Sequence, residues 1–268
     1  MNLVPHLPPH AEETIHQFLR HHAQGAERGG VVVGLSGGID SALVSRLARD
    51  ALGPTRVLGV LLPDAAYPQA LREETEAYAR GLGIGVRRIL IDSVEEAIRP
   101  LLPNVDDQVA WGNVKARVRM ILLYATARET GFRVAGTGNK SEILLGYFTK
   151  YGDGGVDLVP IGDLYKTEVR ELAARLELPP AVRERAPSAG LWEGQTDEGE
   201  LGVPYAEIDR ILYGMEQLRT PAEIHALTGI SNEVIGRIML RVEQNRHKRR
   251  SPPIPKIGLR TIGIDWRD

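Results

Sequence analysis

Cysteine is absent from all 268 residues of the chain, and this absence excludes several kinds of chemistry. No disulfide bond can form, no metal can be held by thiolates, and no cysteine can act as a nucleophile. Any nitrogen that the protein transfers therefore cannot be released from glutamine by a thiol of this chain. Lysine is also scarce, because most of the 33 basic residues are arginines, so the position of each lysine is informative.

Long apolar runs and a strong net charge are missing as well. No apolar run reaches the ~18 residues that a membrane-spanning helix needs, and residues 1–10 lack the pattern of a secretory signal. We therefore expect a cytoplasmic protein that does not bind membranes. The net charge of −2 argues against a broad nucleic-acid surface. With 43% hydrophobic residues, the chain can bury a sizeable core.

Alternating strand and helix patterns over residues 31–137 predict the fold class. Four continuous apolar runs are typical of buried parallel strands, and helical spacing of apolar residues separates them. The strands are predicted at 31–35, 57–62, 86–91 and 133–137, and the helices at 41–52, 69–82, 94–102 and 113–130. We predict an α/β fold: a doubly wound, Rossmann-like parallel sheet of strand order about 3-2-1-4-5 with helices on both faces.

The rest of the chain is predicted to be mostly helical and to belong to one domain, residues 1–268. An N-terminal helix is expected within 1–25, the α/β core within 26–185, and a loop followed by C-terminal helices within 186–268. Further helices are predicted at 165–177, 204–218, 220–228 and 231–248. Thr220 and Glu223 form a capping-box pattern, and Gly229 marks the end of that helix.

A glycine-rich string lies where the first predicted strand turns into a helix. Residues 34–41 have the sequence Gly-Leu-Ser-Gly-Gly-Ile-Asp-Ser. Gly37 and Gly38 let the backbone approach a ligand, and the next helix directs free N–H groups and its positive dipole end at the turn. A plain strand-to-helix turn capped by Ser36 or Asp40 is the alternative. The full string, however, resembles the SGGxDS signature of the N-type ATP pyrophosphatases, which bind ATP phosphates there.

A second motif follows the fourth predicted strand, where residues 136–142 have the sequence Gly-Thr-Gly-Asn-Lys-Ser-Glu. In the order 3-2-1-4, the first and fourth strands are neighbours at the point where the winding reverses. Ligands of open α/β sheets bind there, beyond the carboxyl ends of the strands. The topology therefore predicts that Asp40 and Glu142 meet in one cleft. A Mg²⁺ ion held by these carboxylates would offset the charge of ATP at a loop without lysine.

Long strings elsewhere in the chain resemble the ammonia-dependent NAD synthetases. The similarity runs in order from about residue 31 to 249. It includes Gly-Asn-Val-Lys-Ala-Arg at 112–117, the string 145–157, Pro-Ser-Ala-Gly-Leu-Trp at 187–192, Asp-Glu-Gly-Glu-Leu-Gly at 197–202 and His-Lys-Arg at 247–249. The resemblance implies a homodimeric ligase that converts nicotinic acid adenine dinucleotide (deamido-NAD), ATP and ammonia into NAD, AMP and pyrophosphate, the last step of NAD biosynthesis.

Position by position, the resemblance also implies roles for individual residues. Asp40 and Glu142 would hold Mg²⁺. The chemistry of the reaction adds that Asp157 could orient ammonium and take its proton, and that Lys166 could stabilise charge on the phosphates. The ATP site would comprise Gly34, Leu35, Ser36, Gly37, Gly38, Ile39, Asp40, Ser41, Thr137, Lys166 and Ser188. Deamido-NAD would be contacted, partly across the dimer, by Arg117, Lys150, Asp157, His247 and Lys248.

Several alternatives remain open at the level of sequence. Asp157 could instead brace a loop, and Lys115 and Lys140 could pair with neighbouring acids. Residues 104–112 and 187–202 are expected to be lids, with plain surface loops as the alternative. Another ATP pyrophosphatase with a different substrate, such as a lysidine-type tRNA ligase, would share the phosphate loop. A non-enzymatic alternative is a helix-turn-helix DNA-binding protein formed by 220–249.

Overall fold

One parallel sheet forms the centre of the fold in a computed structural model, which describes residues 3–25, 27–105, 107–188, 190–192 and 194–262. Its strands are β1 (Val31–Leu35), β2 (Val57–Leu61), β3 (Gly85–Arg88) and β4 (Arg133–Ala135). The order β3-β2-β1-β4 confirms the predicted arrangement of the first four strands. Val31, Val32 and Val33 of the central strand are fully buried, which explains the uninterrupted apolar run.

Helices cover both faces of the sheet. On one face lie α1 (Ala11–Gln24), α2 (Ile39–Leu52), α3 (Gln69–Gly81) and α7 (Lys166–Arg175), and on the other lie α4 (Asp92–Ile98) and α5 (Gln108–Thr130). Each face of the sheet packs against its helices in a separate hydrophobic core: the first core lies under the first group of helices and the second under α4 and α5. Because successive strand residues point to opposite faces, Val31 and Val33 belong to the first core and Val32 belongs to the second. No helix in the described ranges has both the length and the apolar character needed to cross a membrane.

A third core lies among the C-terminal helices. These are α9 (Asp197–Leu201), α10 (Tyr205–Glu216), α11 (Pro221–Thr228) and α12 (Asn232–Gln244), with α6 (Lys140–Leu145) packed against them and α8 (Pro180–Arg183) on the first core. The capping box of Thr220 and Glu223 is present, and Gly229 ends α11 at φ +75°, as the sequence predicts. Leu3 packs into this third core, so the N-terminal segment contacts the C-terminal helices.

The expected fifth strand is not found among the described residues. Its place beside β4 is taken by a single parallel bridge between Ala135 and Leu158. The Gly136 amide donates to the Leu158 carbonyl, but Pro160 follows two residues later and has no N–H to continue a ladder. Flanking glycines at 154 and 155 add to the conformational entropy that a longer strand would have to overcome.

Helices occupy parts of the two segments that were expected to be lids. Helix α5 starts at Gln108, inside the expected lid 104–112, because the Asp107 carboxylate caps it by accepting from the amides of Val109 and Ala110. Helix α9 occupies 197–201, inside the expected lid 187–202, with the Thr196 hydroxyl as its cap. A short helix that was not predicted from the sequence, α6, begins within the second motif and ends before residue 146.

Candidate functional site

The phosphate loop connects the carboxyl end of β1 to the amino end of α2. Gly37 has φ +77°, a backbone conformation that L side chains rarely adopt, and Gly38 precedes the first turn of the helix. The Ser41 hydroxyl accepts from the Ser36 amide at 3.3 Å and donates to the Gly38 carbonyl at 3.0 Å. The Gly38 amide in turn donates to the Ser36 hydroxyl. Two amides of the loop, those of Ser36 and Gly38, therefore donate to hydroxyls of the loop itself.

The wall of this loop is formed by residues from other elements. The Tyr67 hydroxyl donates to the Ser36 carbonyl at 3.0 Å. A Cβ atom on Gly37 would lie 2.7 Å from Thr75 Oγ1, so only glycine fits. The Arg185 guanidinium also donates to the Gly37 carbonyl. A cation that the sequence reading did not assign thus contacts the middle of the loop.

Asp40 and Glu142 lie on either side of one buried ammonium group. Lys166, the first residue of α7, places Nζ 2.6 Å from Asp40 Oδ2 and 3.1 Å from Glu142 Oε1. Only 1% of Lys166 is exposed. The topology therefore brings together the two carboxylates that follow neighbouring strands, and the third predicted residue bridges them.

Asn139 holds both carboxylates in position through hydrogen bonds. Its side-chain amide donates to Asp40 Oδ1 at 2.9 Å, while its side-chain oxygen accepts from the Glu142 amide at 3.0 Å. Glu142 Oε2 accepts from the Asn139 amide, which completes a capping box at the start of α6. Asn139 is fully buried. The Asn-x-x-Glu pattern in residues 139–142 is the signal from which α6 could have been predicted.

Charge at this centre is predominantly negative. The pKa of Glu142 is raised to about 7, mainly by burial and further by Asp40 and Asp197, against the opposing charge of Lys166. Burial lowers the pKa of Lys166, but Asp40 and Glu142 outweigh it and hold the pKa above its ordinary value. Burial also raises the pKa of Asp197, and Tyr205 contacts its Oδ2 at 3.4 Å. Lys166 therefore remains charged among three acidic groups.

The residues present fit a divalent cation bound together with phosphate oxygens. Three carboxylates against one ammonium leave two negative charges when all are ionised. Asp197 Oδ1 is buried and accepts no hydrogen bond within the described part of the chain. No three acidic or histidine side chains in the described ranges are arranged to hold a metal by themselves. Mg²⁺ typically uses one or two carboxylates, waters and substrate phosphates, so this arrangement suits Mg²⁺ with a nucleotide.

Asp209 fastens the two helices that carry these groups. This fully buried residue of α10 accepts from the Ser141 hydroxyl at 2.5 Å and from the Thr167 amide at 2.8 Å. The Ser141 hydroxyl also accepts from the Lys166 amide at 2.9 Å. One carboxylate therefore sets the first turn of α7 relative to α6, and with it the position of Lys166 relative to Glu142.

We expect Asp209→Asn to lower the free energy of unfolding by about 2–3 kcal/mol, because the amide can accept from only one of the two donors and directs N–H at the other. Urea denaturation followed by circular dichroism measures the change. Asp163→Asn is the matched control, because that side chain is 98% exposed and its loss changes stability by less than about 0.5 kcal/mol. A loss for Asp209→Asn no larger than this control would contradict the assigned role.

Four of the residues predicted to contact a dinucleotide form a connected group beside α5. Arg117 donates to the Lys150 carbonyl, and Lys150 donates to the His247 carbonyl at 2.9 Å. Lys248 donates to the carbonyls of Gly146 and Phe148. The group begins at Gly146, four residues after Glu142, so about 6 Å of helix separates it from the carboxylate centre.

Asp157 lies on the same side of α5 as Arg117 but is not bonded to that group. Its Oδ2 accepts from the Val134 amide at 2.8 Å, and its Oδ1 accepts from the Tyr124 hydroxyl at 3.1 Å. Arg117 and Tyr124 are seven residues apart on one helix, which places them on one face. Asp157 thus braces the chain next to β4, the alternative left open by the sequence, and its role as a base stays a prediction.

The remaining predicted residues lie outside these two groups. Thr137 follows β4 and is half-buried, while Ser188 is exposed and its hydroxyl accepts from the Gly190 amide. Lys140 pairs with Asp163 and Glu216, and Lys115 pairs with Asp64. Lys115 also lines a cavity of about 390 Å³ whose walls include Trp111, Leu191 and Trp192. For both lysines, the structure has the acid pairing that the sequence left as an alternative.

Comparisons with known proteins agree with this geometry. Residues 11–252 match the family model described as NAD synthase. The NH(3)-dependent NAD(+) synthetase of Methanococcoides burtonii is 50% identical over 258 residues, covering 96% of this chain and 97% of that relative. Among solved structures, the NMN synthetase of Francisella tularensis has a TM-score of 0.82 at 33% identity, with 94% of this chain and 100% of that chain covered. The NH3-dependent NAD synthetase of Campylobacter jejuni has a TM-score of 0.78 at 32% identity, with 92% and 97% covered.

Proposed function

This chain belongs to the NAD synthase family, and from that premise we propose that it converts deamido-NAD, ATP and ammonia into NAD, AMP and pyrophosphate. The observation that supports this most directly is the placement of Lys166 between Asp40 and Glu142, next to the phosphate loop. The enzyme is an ATP-dependent carbon–nitrogen ligase. ATP is a co-substrate whose phosphates we place over Gly37 and Gly38.

The first half of the reaction makes a leaving group. Ammonia cannot expel oxide from a nicotinate carboxylate, so that carboxylate first attacks the α-phosphorus of ATP and forms an acyl-adenylate with loss of pyrophosphate. Negative charge then builds on the departing phosphates. We assign this stabilisation to the amide groups at the start of α2, the hydroxyls of Ser36 and Ser41, and the Lys166 ammonium.

Asp40 and Glu142 would hold a Mg²⁺ ion, which when bound supplies positive charge at the phosphates. Both carboxylates are fixed by Asn139, so their oxygens are oriented before any ligand arrives. The second Asp197 oxygen adds a buried acceptor beside them. Lys166 neutralises part of this acidic cluster, which keeps the free centre from repelling ATP as strongly as three unpaired carboxylates would.

The second half transfers nitrogen from ammonia to the activated carbonyl carbon, and AMP leaves. Asp157 is the residue that we assign to holding the incoming ammonium and removing its proton. Burial raises the pKa of the Tyr124 hydroxyl to about 12, so this phenol stays protonated and keeps donating to Asp157. Each carboxylate oxygen can accept a further bond, so bracing contacts and an ammonium contact are compatible.

A second copy of the chain would complete the dinucleotide site. Arg117 and His247 are exposed, and the side chains of Val109, Ile121 and Tyr151 nearby are between 53% and 60% exposed. Exposed apolar residues beside an open polar group are typical of a subunit interface. We propose a homodimer in which this face is covered and deamido-NAD is held partly by the partner subunit.

The decisive experiment incubates the protein with deamido-NAD, ATP, Mg²⁺ and ammonium and measures products by chromatography. We expect NAD, AMP and pyrophosphate in equal amounts. With glutamine replacing ammonium at equal concentration, NAD formation should fall at least about 100-fold, because the chain has no cysteine to release the nitrogen. ADP in place of AMP, or efficient use of glutamine, would contradict the proposal.

One observation favours a second substrate. The Francisella tularensis neighbour is an NMN synthetase, and its named product lacks the AMP half of NAD. The same assay with nicotinic acid mononucleotide compares the two acceptors directly through kcat/KM. We expect deamido-NAD to be preferred, because the more similar relatives are NAD synthetases. The match to this chain covers nearly the full length of each of them.

A further inference from the structure

Arg185 lies in the segment after α8 and contacts the phosphate loop through a hydrogen bond. It lies two residues beyond Arg183, at the beginning of the segment that leads to Ser188. Its guanidinium donates to the Gly37 carbonyl and to Glu74 Oε2, the latter at 2.7 Å. The side chain is 28% exposed, so the guanidinium borders both the loop and solvent.

The loop needs more positive charge than its own residues supply. Residues 34–41 contain no lysine or arginine. The Lys166 ammonium is already shared between Asp40 and Glu142. A bound triphosphate would add up to four negative charges next to an acidic cluster. A guanidinium at the centre of the loop would reduce this repulsion, and guanidinium groups bind phosphate oxygens in a bidentate manner.

The present partners of Arg185 are weaker than a phosphate would be. The Gly37 carbonyl is a neutral acceptor, and charge-assisted bonds to phosphate are roughly twice as strong as neutral ones. The Arg185–Glu74 pair is partly exposed, with 28% and 38% of the side chains accessible, and such pairs contribute little. Glu74 Oε1 is buried and has no hydrogen-bond partner among the described residues. The guanidinium has five N–H donors and can exchange these contacts without leaving the loop.

We propose that Arg185 is a ligand of the ATP phosphates, which exchanges the Gly37 carbonyl and Glu74 for phosphate oxygens when the nucleotide binds. This inference rests on the proposed function, in so far as ATP binds at the phosphate loop. Because Arg185 begins the segment leading to Ser188, the exchange ties that segment to the loaded loop. Glu74 acts as a resting partner that competes with the nucleotide for the guanidinium.

The test measures binding of the Mg²⁺ complex of α,β-methylene-ATP by calorimetry, since this analogue cannot be cleaved between the α and β phosphates. We expect Arg185→Gln to raise the dissociation constant at least tenfold and Arg185→Lys to raise it less, because lysine keeps the charge. Glu74→Gln removes the competitor, so its dissociation constant should equal or fall below that of the parent. The Arg183 guanidinium donates to the Leu178 carbonyl, so Arg183→Gln is the matched control, and its dissociation constant should stay within twofold of that of the parent.

The Glu74 variant distinguishes a ligand from a brace. If Arg185 only stiffens the loop through its pair with Glu74, then Glu74→Gln weakens binding more than threefold in parallel with Arg185→Gln, and the proposal is overturned. Parent-like binding by Arg185→Gln overturns it equally. The KM for deamido-NAD, measured on the same variants, should stay within twofold. Failure of the parent protein to form NAD would instead count against the proposed function, and the binding result would be read separately.

Discussion

Asp40→Asn is expected to lower kcat for NAD formation at least ~100-fold, which corresponds to about 3 kcal/mol of transition-state stabilisation. The amide has nearly the shape of the carboxylate, so the bond from Asn139 to Oδ1 can persist. What is lost is the negative charge that faces Lys166 at 2.6 Å and would hold the metal. Initial rates at saturating deamido-NAD and ammonium, with Mg²⁺ varied, measure the change.

A second variant and a control variant accompany this test. Glu142→Gln should cause a similar loss, and in both variants the Mg²⁺ concentration giving half-maximal rate should rise. Asp50→Asn is the control, because Asp50 lies at the other end of the same helix and pairs with Arg46 and Arg49. It should retain activity within twofold. Activity of Asp40→Asn within threefold of the parent would remove the metal from the proposal.

The topology of the sheet could be predicted because its signals are local and strong. Each strand is a continuous apolar run, and Val32 and Val60 are fully buried in the structure. Right-handed crossovers and the alternation of strand and helix then leave few orders for four strands. The expectation of a fifth strand came from a general fold pattern. Such a pattern does not include the effect of Pro160 or the extent of backbone pairing with β4, on which the length of that strand depends.

The meeting of Asp40 and Glu142 could also be predicted, since each follows one of two adjacent strands. Lys166 is different, because no local pattern in residues 164–168 shows where its side chain will point. Its position depends on Ser141, 25 residues earlier, and on Asp209, 43 residues later in the chain. The resemblance to a family supplied this residue, whereas the spacing of residues alone could not.

Arg185 and Asn139 show two reasons for omission. Asn139 had a readable signal, because Asn-x-x-Glu before an apolar run predicts a capped helix. Arg185 had none, since its contact with Gly37 spans 148 residues and most basic residues of the chain are arginines. Long-range contacts of common residue types therefore remain outside a reading of the sequence, even where the motif they touch is obvious.

Lys166→Met is expected to lower kcat by about 10²- to 10³-fold, the range seen when one donor that stabilises a developing charge is removed. The reason is specific: Lys166 is 1% exposed, and its ammonium donates hydrogen bonds to both carboxylates that flank the phosphate loop. Arginine should not substitute, because its longer planar group does not fit the space that this buried ammonium occupies. Single-turnover formation of pyrophosphate isolates the adenylation step.

The direction in which metal affinity changes distinguishes the role of Lys166 from that of its acidic partners. Removing the ammonium leaves Asp40 and Glu142 without a counter-charge, so Mn²⁺, a spectroscopic substitute for Mg²⁺, should bind Lys166→Met about tenfold more tightly in the presence of α,β-methylene-ATP. The same measurement on Asp40→Asn should show weaker binding, although both variants lose turnover. Because breaking a buried pair can cost about 3–5 kcal/mol of stability, retained analogue binding also reports that the variant is folded. If Lys166→Met instead loses Mn²⁺ as Asp40→Asn does, the lysine organises the metal site rather than the phosphates, and its assignment as the charge-stabilising residue is wrong.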